Sequence, residues 1–150
     1  MLKGARLVVI LLFLAGFGMI LLFMPKDFSK AMANEFSPDK VEEVQVWVKQ
    51  DGQEYTAAIV QGEQSYVDLI TLLQEPTYSK THSDEEGEAS YMVSLQFTGE
   101  GHLWSYDFSG DGSDQVSLGA AVNQKTYQVS GGEETKEAIL DYLLTLAEAA

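Results

Sequence analysis

The sequence predicts an α+β protein in which a mainly antiparallel sheet follows an N-terminal transmembrane helix. Three observations support this class: an uncharged apolar run near the N-terminus, a series of short segments that alternate apolar and polar residues, and two segments with helical periodicity. The predicted order after the membrane helix is ββαββββα, with both helices packed on one face of the sheet.

The apolar run extends from Leu7 to Met24 and follows a basic start that contains Lys3 and Arg6. About 18 helical residues span roughly 27 Å, which is close to the hydrocarbon thickness of a bilayer and longer than the apolar core of an ordinary signal peptide. We therefore expect residues 1–24 to form a cytoplasmic tail and a membrane anchor, with the remainder of the chain outside the cytoplasm.

Cleavage of this segment during export is the alternative. Ala31 and Ala33 form the A-x-A pattern of a signal-peptidase site, and cleavage there would release a secreted form that begins at Asn34. The pattern lies well beyond the end of the apolar run, and charged residues separate the two. This spacing favours a retained single-pass anchor over a secreted product.

Residues 25–40 mix proline, serine, asparagine and charged residues without a period, which predicts a flexible tether ahead of an extracytoplasmic domain over residues 41–150. The domain begins with a strand in which Val44, Val46 and Val48 alternate with polar residues. The first strand is therefore expected to be buried on one side only.

Turn signals separate the later strands. Asp51 and Gly52 are typical of a type I′ hairpin, and Gly99–Gly101 and Gly110–Ser113 predict further turns. We expect one more turn at Asn123–Lys125. The alternating residues that define these strands are Tyr55, Ala57 and Ile59; Tyr91, Val93, Leu95 and Phe97; His102, Trp104, Tyr106 and Phe108; Val116, Leu118, Ala120 and Val122; and Tyr127 and Val129.

Two segments change to helical periodicity. Residues 63–74 place an apolar residue every three or four positions, and Pro76 ends that helix. Residues 76–88 are polar and acidic and predict a loop. Ser130 and Glu133 then fit a capping box at the start of a terminal helix with a wide apolar face.

The composition excludes several kinds of function. The chain has no cysteine, so disulfides, thiolate catalysis and a lipidated cysteine are absent. All 23 acidic residues and seven of the nine basic ones lie after Met24, which gives this part a net charge of −16. Such a charge makes nucleic acid and anionic headgroups poor partners and favours cations or basic protein surfaces. No serine-hydrolase or zinc-protease motif is present, so we do not expect an enzyme, and a cell-wall or protein hydrolase is the least supported alternative.

One turn resembles a calcium-binding loop. Asp107, Ser109, Asp111 and Asp114 offer oxygen ligands around a glycine turn, which would fit Ca²⁺ in a divalent-cation or envelope-stress sensor. Leu118 stands where an EF-hand has its bidentate glutamate, so an EF-hand is excluded. An ordinary Asp/Gly hairpin turn explains the same residues. The acidic loop that contains His82 is a second, weaker cation candidate.

Trp47 is the main candidate for partner binding. It alternates with Glu43, Gln45 and Lys49 on the polar side of the first strand, where an exposed aromatic side chain could anchor a protein or cell-wall partner. The aromatic stripe Trp104, Tyr106 and Phe108 is instead expected in the core, because a sheet buries bulky residues of period two beneath its helices.

The chain also resembles a group of small Gram-positive bacterial membrane-anchored or lipid-anchored domains of unknown function. The resemblance rests on Val44–Val48, Ser65–Leu73, Tyr91–Phe97 and Lys125–Val129, the last of these followed by a terminal helix. It implies a compact exported α+β domain and supplies no catalytic residue. The expected function is thus that of a membrane-anchored, non-enzymatic module that binds a protein or an envelope component.

Overall fold

Alternating apolar residues assemble seven strands into one antiparallel sheet in the computed structural model, which describes residues 25–81 and 88–149. The α+β class and the mainly antiparallel sheet are confirmed. The order across the sheet is β2-β1-β4-β5-β6-β7-β3. The strands are β1 (Glu43–Gln50), β2 (Gln53–Val60), β3 (Tyr78–Lys80), β4 (Tyr91–Gly99), β5 (His102–Ser109), β6 (Gln115–Ala120) and β7 (Asn123–Val129).

Three helices accompany the sheet, namely α1 (Phe28–Met32), α2 (Gln64–Gln74) and α3 (Glu133–Ala149), together with a 3₁₀ turn at Pro38–Lys40. Within the described residues the order is therefore αββαβββββα, with one helix and one strand more than the ββαββββα order predicted to follow the membrane helix. No helix within residues 25–81 and 88–149 is long and apolar enough to cross a membrane. The anchor predicted for residues 1–24 lies outside the described residues.

The core lies on one face of the sheet, because the buried strand residues follow the period of two. Trp104, Tyr106 and Phe108 are all buried, which confirms the aromatic stripe as core. Helix α2 adds Tyr66, Leu69, Ile70 and Leu73 to the same cluster, and α3 adds Ile139, Leu140 and Leu143. We call this side the covered face.

The predicted tether is wrong for residues 25–40, because this segment packs into the core. Phe28, Met32 and Phe36 are buried, and the Phe28 ring lies 5.1 Å from that of Phe36. Trp104 donates an indole N–H to the Asn34 carbonyl at 3.3 Å. A five-residue helix is too short to show a clear helical period. The spacing of four between Phe28, Met32 and Phe36 nevertheless indicated a helical apolar face, which the polar residues around it obscured.

The start of this segment is bonded to the sheet edge. Lys26 and Tyr78 exchange two backbone hydrogen bonds, of 2.7 and 2.9 Å. Tyr78 belongs to β3, a strand of three residues paired with β7, whereas the polar composition of residues 76–88 predicted a loop there. The segment thus extends the sheet beyond its outermost strand by one residue.

Two local predictions around β7, the neighbour of β3, are also corrected. Strand β6 ends at Ala120, which pairs directly with Asn123, so the turn comprises Ala121 and Val122 rather than Asn123–Lys125. Val122 is accordingly 98% exposed. The capping box does not form either: the Ser130 hydroxyl accepts the Thr77 N–H at 2.9 Å, and α3 begins only after a glycine turn.

Candidate functional site: the open face of the sheet

The open face is the side of the sheet opposite the helices. It consists of the strand residues that alternate with the buried ones, and their side chains are mostly serine, threonine and glutamine. An antiparallel sheet with one solvated face shows this pattern of sequence. Its side chains lie in rows, since neighbouring strands are in fixed register.

Trp47 lies in the central row of this face. The row crosses five strands as Thr56, Trp47, Ser94, Asp107 and Ser117. Trp47 is partly buried rather than fully exposed, because it is flanked by side chains of both neighbouring strands. The ring nevertheless belongs to the solvated side of the sheet, as the alternation predicts.

Exposed apolar residues extend the surface around Trp47. Met92 is 48% exposed and lies on β4 diagonally adjacent to Trp47, while Leu103 is 42% exposed and lies further along the open face. Large exposed apolar side chains with polar neighbours are characteristic of surfaces that bind partners. The open face therefore has a mixed apolar and polar character suited to recognition.

Asp107 holds the one carboxylate of the central row. Its Oδ2 accepts a hydrogen bond of 2.6 Å from the Gln124 amide. Its Oδ1 is buried and has no hydrogen-bond partner among the described residues. An unpaired buried carboxylate oxygen costs free energy, so Asp107 can accept a donor from water or from a ligand that settles on this face.

Two residues of the calcium hypothesis, Asp107 and Asp111, have different surroundings. Asp107 faces the open side, whereas Asp111 contacts the buried ammonium group of Lys136 at 3.3 Å. Among residues 25–81 and 88–149, no group of three or more acidic, histidine or cysteine side chains could hold a metal ion. The positive charge beside Asp111 thus comes from the protein itself, and the calcium site stays a prediction.

The Asp111 carboxylate is fixed by its neighbours. Ser113 donates its N–H and its hydroxyl to Asp111 Oδ1 at 3.0 and 2.6 Å, and Lys136 also donates to the Ser113 carbonyl at 2.8 Å. Burial alone would raise the pKa of Asp111, but these hydrogen bonds and the Lys136 charge outweigh burial and hold the pKa below its usual value. The turn between β5 and β6 is thereby tied to the first turns of α3.

The buried phenols belong to the core rather than to a reactive site. Tyr78 donates to the Leu73 carbonyl at 2.7 Å, and the hydroxyls of Tyr78 and Tyr106 lie 2.9 Å apart. Burial raises the pKa of both groups well above the usual value for tyrosine. Burial, followed by the charges of Glu137 and Glu133, also raises the pKa of Tyr91 to about 12. These phenols therefore stay protonated at neutral pH.

His102 packs against an aromatic residue of the core. Its ring stacks on that of the buried Trp104 at a centroid distance of 5.2 Å. The other histidine, His82, lies with most of the acidic loop outside the described residues, so the loop's cation hypothesis remains a prediction. The ring of His102 is thus packed against the core.

Two surface grooves lie away from the open face. One of about 330 Å³ runs between the end of α2 and the start of α3, where Glu75 and Glu134 contribute carboxylates. The other, of about 460 Å³, is lined by Lys26, Asp27, Lys30 and residues 74–77. Among the described residues that line them, neither groove has a histidine.

No protein-family model, curated protein sequence or solved structure matches this chain. Of the residues singled out from the sequence, Trp47 and Asp107 share the central row of the open face, while Ser109 and Asp111 lie at the β5–β6 turn. The contributions of Gln124 and Lys136 were missed, because each partner lies 17 or more residues from the aspartate that it contacts.

Proposed function

We propose that this chain is a membrane-anchored extracytoplasmic binding module that takes a protein or envelope partner on its open face. A single observation carries the proposal: the core and the helices occupy one side of the sheet, and the other side presents Trp47 among polar and charged side chains. A binding role fits this flat arrangement, since enzymes generally place their reactive groups in a concave site.

Retention of the anchor is part of this proposal. Cleavage after Ala33 would remove Phe28, Ala31 and Met32, which are buried in the core, and would also remove the Lys26 backbone bonds to β3. Losing several buried apolar side chains costs several kcal/mol, a large share of the stability of a domain this size. A mature protein that begins at Asn34 would therefore be poorly folded.

Two chains of defined length test retention. A chain that begins at Pro25 is expected to unfold cooperatively in urea, whereas one that begins at Asn34 is expected to show a much lower midpoint or no cooperative transition. Equal midpoints would show that residues 25–33 are dispensable and would restore the secreted form.

Co-purification tests the binding surface. The full chain, Trp47→Ala and Val67→Ala are each isolated from their own membrane with the partners that accompany them. Val67 is a matched control, because it is 51% exposed but lies on α2, on the opposite side of the sheet. The proposal expects Trp47→Ala alone to lose partners by about tenfold or more. Recovery of the same partners with all three chains would refute the role of the open face.

A further inference from the structure

We propose that a basic corner of the domain, formed by Lys26, Lys30, Lys80 and Lys125, lies in the lipid headgroup layer and binds anionic phospholipid headgroups. The inference rests on the proposed membrane anchor and adds a second interaction surface, distinct from the open face. It concerns the lipid around the anchor rather than the partner that Trp47 would take.

Three of the four lysines lie around one aromatic ring, that of Tyr127, and the fourth lines a groove beside them. The Lys26 ammonium lies 6.0 Å from the centroid of Tyr127, Lys80 pairs directly with Tyr127 across the strands, and Lys125 precedes it by two residues on the same side of β7. Lys30 follows on α1 and lines the same groove as Lys26. Four of the seven lysines that follow Met24 therefore lie at one corner of an otherwise strongly acidic domain.

These ammonium groups are available for a ligand. Within residues 25–81 and 88–149, the only ion pair is that of Lys136 with Asp111, so none of the four corner lysines has a carboxylate of these residues within 4.0 Å. Asp27 and Glu75 also line the groove, where Asp27 accepts the backbone N–H of Lys30 at 2.8 Å and caps α1, but both carboxylates lie more than 4.0 Å from the four ammonium groups. Among the described residues, the corner lysines thus have no direct ion-pair partner.

The chain connection places this corner at the membrane. Only Pro25 separates Met24, the last residue of the apolar run, from Lys26, which is bonded to the sheet. One or two extended residues reach about 7 Å at most, which is comparable to the thickness of the headgroup layer on one side of a bilayer. The corner therefore cannot move far from the lipid phosphates once residues 7–24 span the bilayer.

The interaction of the corner with lipid depends more on the charges near the membrane than on the net charge of the domain. The net charge of −16 predicts repulsion from anionic lipid, but exposed charges more than about 8–10 Å away are screened at physiological salt. Lysines held at the membrane surface each favour anionic lipid. The sheet has six inter-strand spacings of about 4.8 Å, so its β2 edge lies about 29 Å from β3 and contributes little to the interaction.

Fluorescence quenching in vesicles tests the proposal. Because the chain has no cysteine, one introduced cysteine can be labelled at a chosen position. The full chain carries a fluorophore at Gln74→Cys, in the groove beside Lys30, or at Gln53→Cys, at the β1–β2 turn. It is reconstituted with a nitroxide-headgroup lipid in phosphatidylcholine, with or without about 30% phosphatidylglycerol. We expect quenching at position 74 to exceed that at position 53 by about threefold or more, because quenching needs close contact.

A flexible linker separates lipid binding from simple attachment. About ten Gly/Ser residues inserted between Met24 and Pro25 would release the domain. With the linker, quenching at position 74 is expected to persist in phosphatidylglycerol vesicles, to fall in pure phosphatidylcholine and to fall at high salt. Equal loss in both vesicles would overturn the proposal.

Matched lysine variants complete the test. In the linker chain, Lys30→Gln/Lys80→Gln should remove the phosphatidylglycerol dependence, whereas Lys40→Gln/Lys49→Gln makes the same charge change elsewhere and should preserve it. Similar behaviour of the two pairs would also overturn the proposal. Alkaline extraction of the vesicles reports on the anchor separately, since a chain that is extracted has no membrane anchor whatever its corner binds.

Discussion

The two tryptophans of this chain lie on opposite faces of one sheet and serve different purposes. Trp104 is fully buried on the covered face, where it packs against Phe36 at 5.1 Å and holds the N-terminal segment in place. Trp47 is partly exposed on the open face, among serine and threonine side chains. Alternation along neighbouring strands thus divides the domain into a side that forms the core and a side that faces solvent.

The largest expected effect belongs to the covered face. Trp104→Ala should lower the free energy of unfolding by about 3–5 kcal/mol, because it leaves a cavity and frees the segment around Asn34. Trp47→Ala should cost less than about 1 kcal/mol, since surface substitutions seldom cost more. Urea unfolding of the full chain in detergent measures both. Equal costs would contradict the division between the two faces.

The next effect concerns the contact that fixes α3 over the covered face. Asp111→Asn should cost about 2–3 kcal/mol, because it leaves the fully buried Lys136 ammonium without its counter-charge. Asp114→Asn, in the same turn, removes one charge without touching Lys136 and should cost little. The double variant Asp111→Asn/Lys136→Met should recover part of the loss. If the double variant is less stable than Asp111→Asn, the buried charge is not the cause.

A smaller effect on stability is expected when the pH is lowered. The pKa of Asp111 is lower in the folded chain than its usual value of 3.8, so its contribution to stability is present above that value and is lost as the pH falls through the folded-state pKa. The difference in urea midpoint between the native chain and Asp111→Asn should therefore shrink from neutral pH to about pH 3. A difference that is independent of pH would show that the ion pair does not supply the stabilisation.

The sequence predicts the long strands and helices of the covered face better than the short elements α1 and β3 that pack beside them. Alternation at Trp104, Tyr106 and Phe108 is strong because three large residues share one period, and both long helices show their apolar faces directly. Helix α1 and strand β3 are too short for periodicity, and tertiary contacts stabilise them instead. The Asp51–Gly52 turn is predicted correctly, because an Asp-Gly pair favours a turn with two positive φ angles. The observed φ angles are 54° and 75°.

The candidate site is predicted only in part, because it depends on contacts between distant strands. The pattern around Trp47 places it on a polar face, but the row through Ser94, Asp107 and Ser117 is set by strand order, which the sequence does not show. Similarly, the Asp111 turn resembles a cation loop until Lys136, 25 residues away, is seen to contact the carboxylate. Net charge likewise conceals the basic corner.

The smallest effect on stability should give the clearest view of the open face. Trp47→Phe should change the free energy of unfolding by less than about 0.5 kcal/mol and leave Trp104 as the only tryptophan. Trp104 is fully buried and donates a hydrogen bond, so its emission should lie at short wavelength and resist quenching by iodide. Trp104→Phe should leave the quenchable emission of Trp47.

The same pair of variants can report on occupancy of the open face. A partner that settles over the central row would shield Trp47 from iodide while leaving the emission of Trp104 unchanged, because the sheet lies between them. Shielding of Trp47 in the native membrane but not in the purified chain would place a partner on this face, whatever the chemical nature of that partner. Iodide access that is equal in both settings would leave the open face without an occupant there, and the helical side would then become the surface to search.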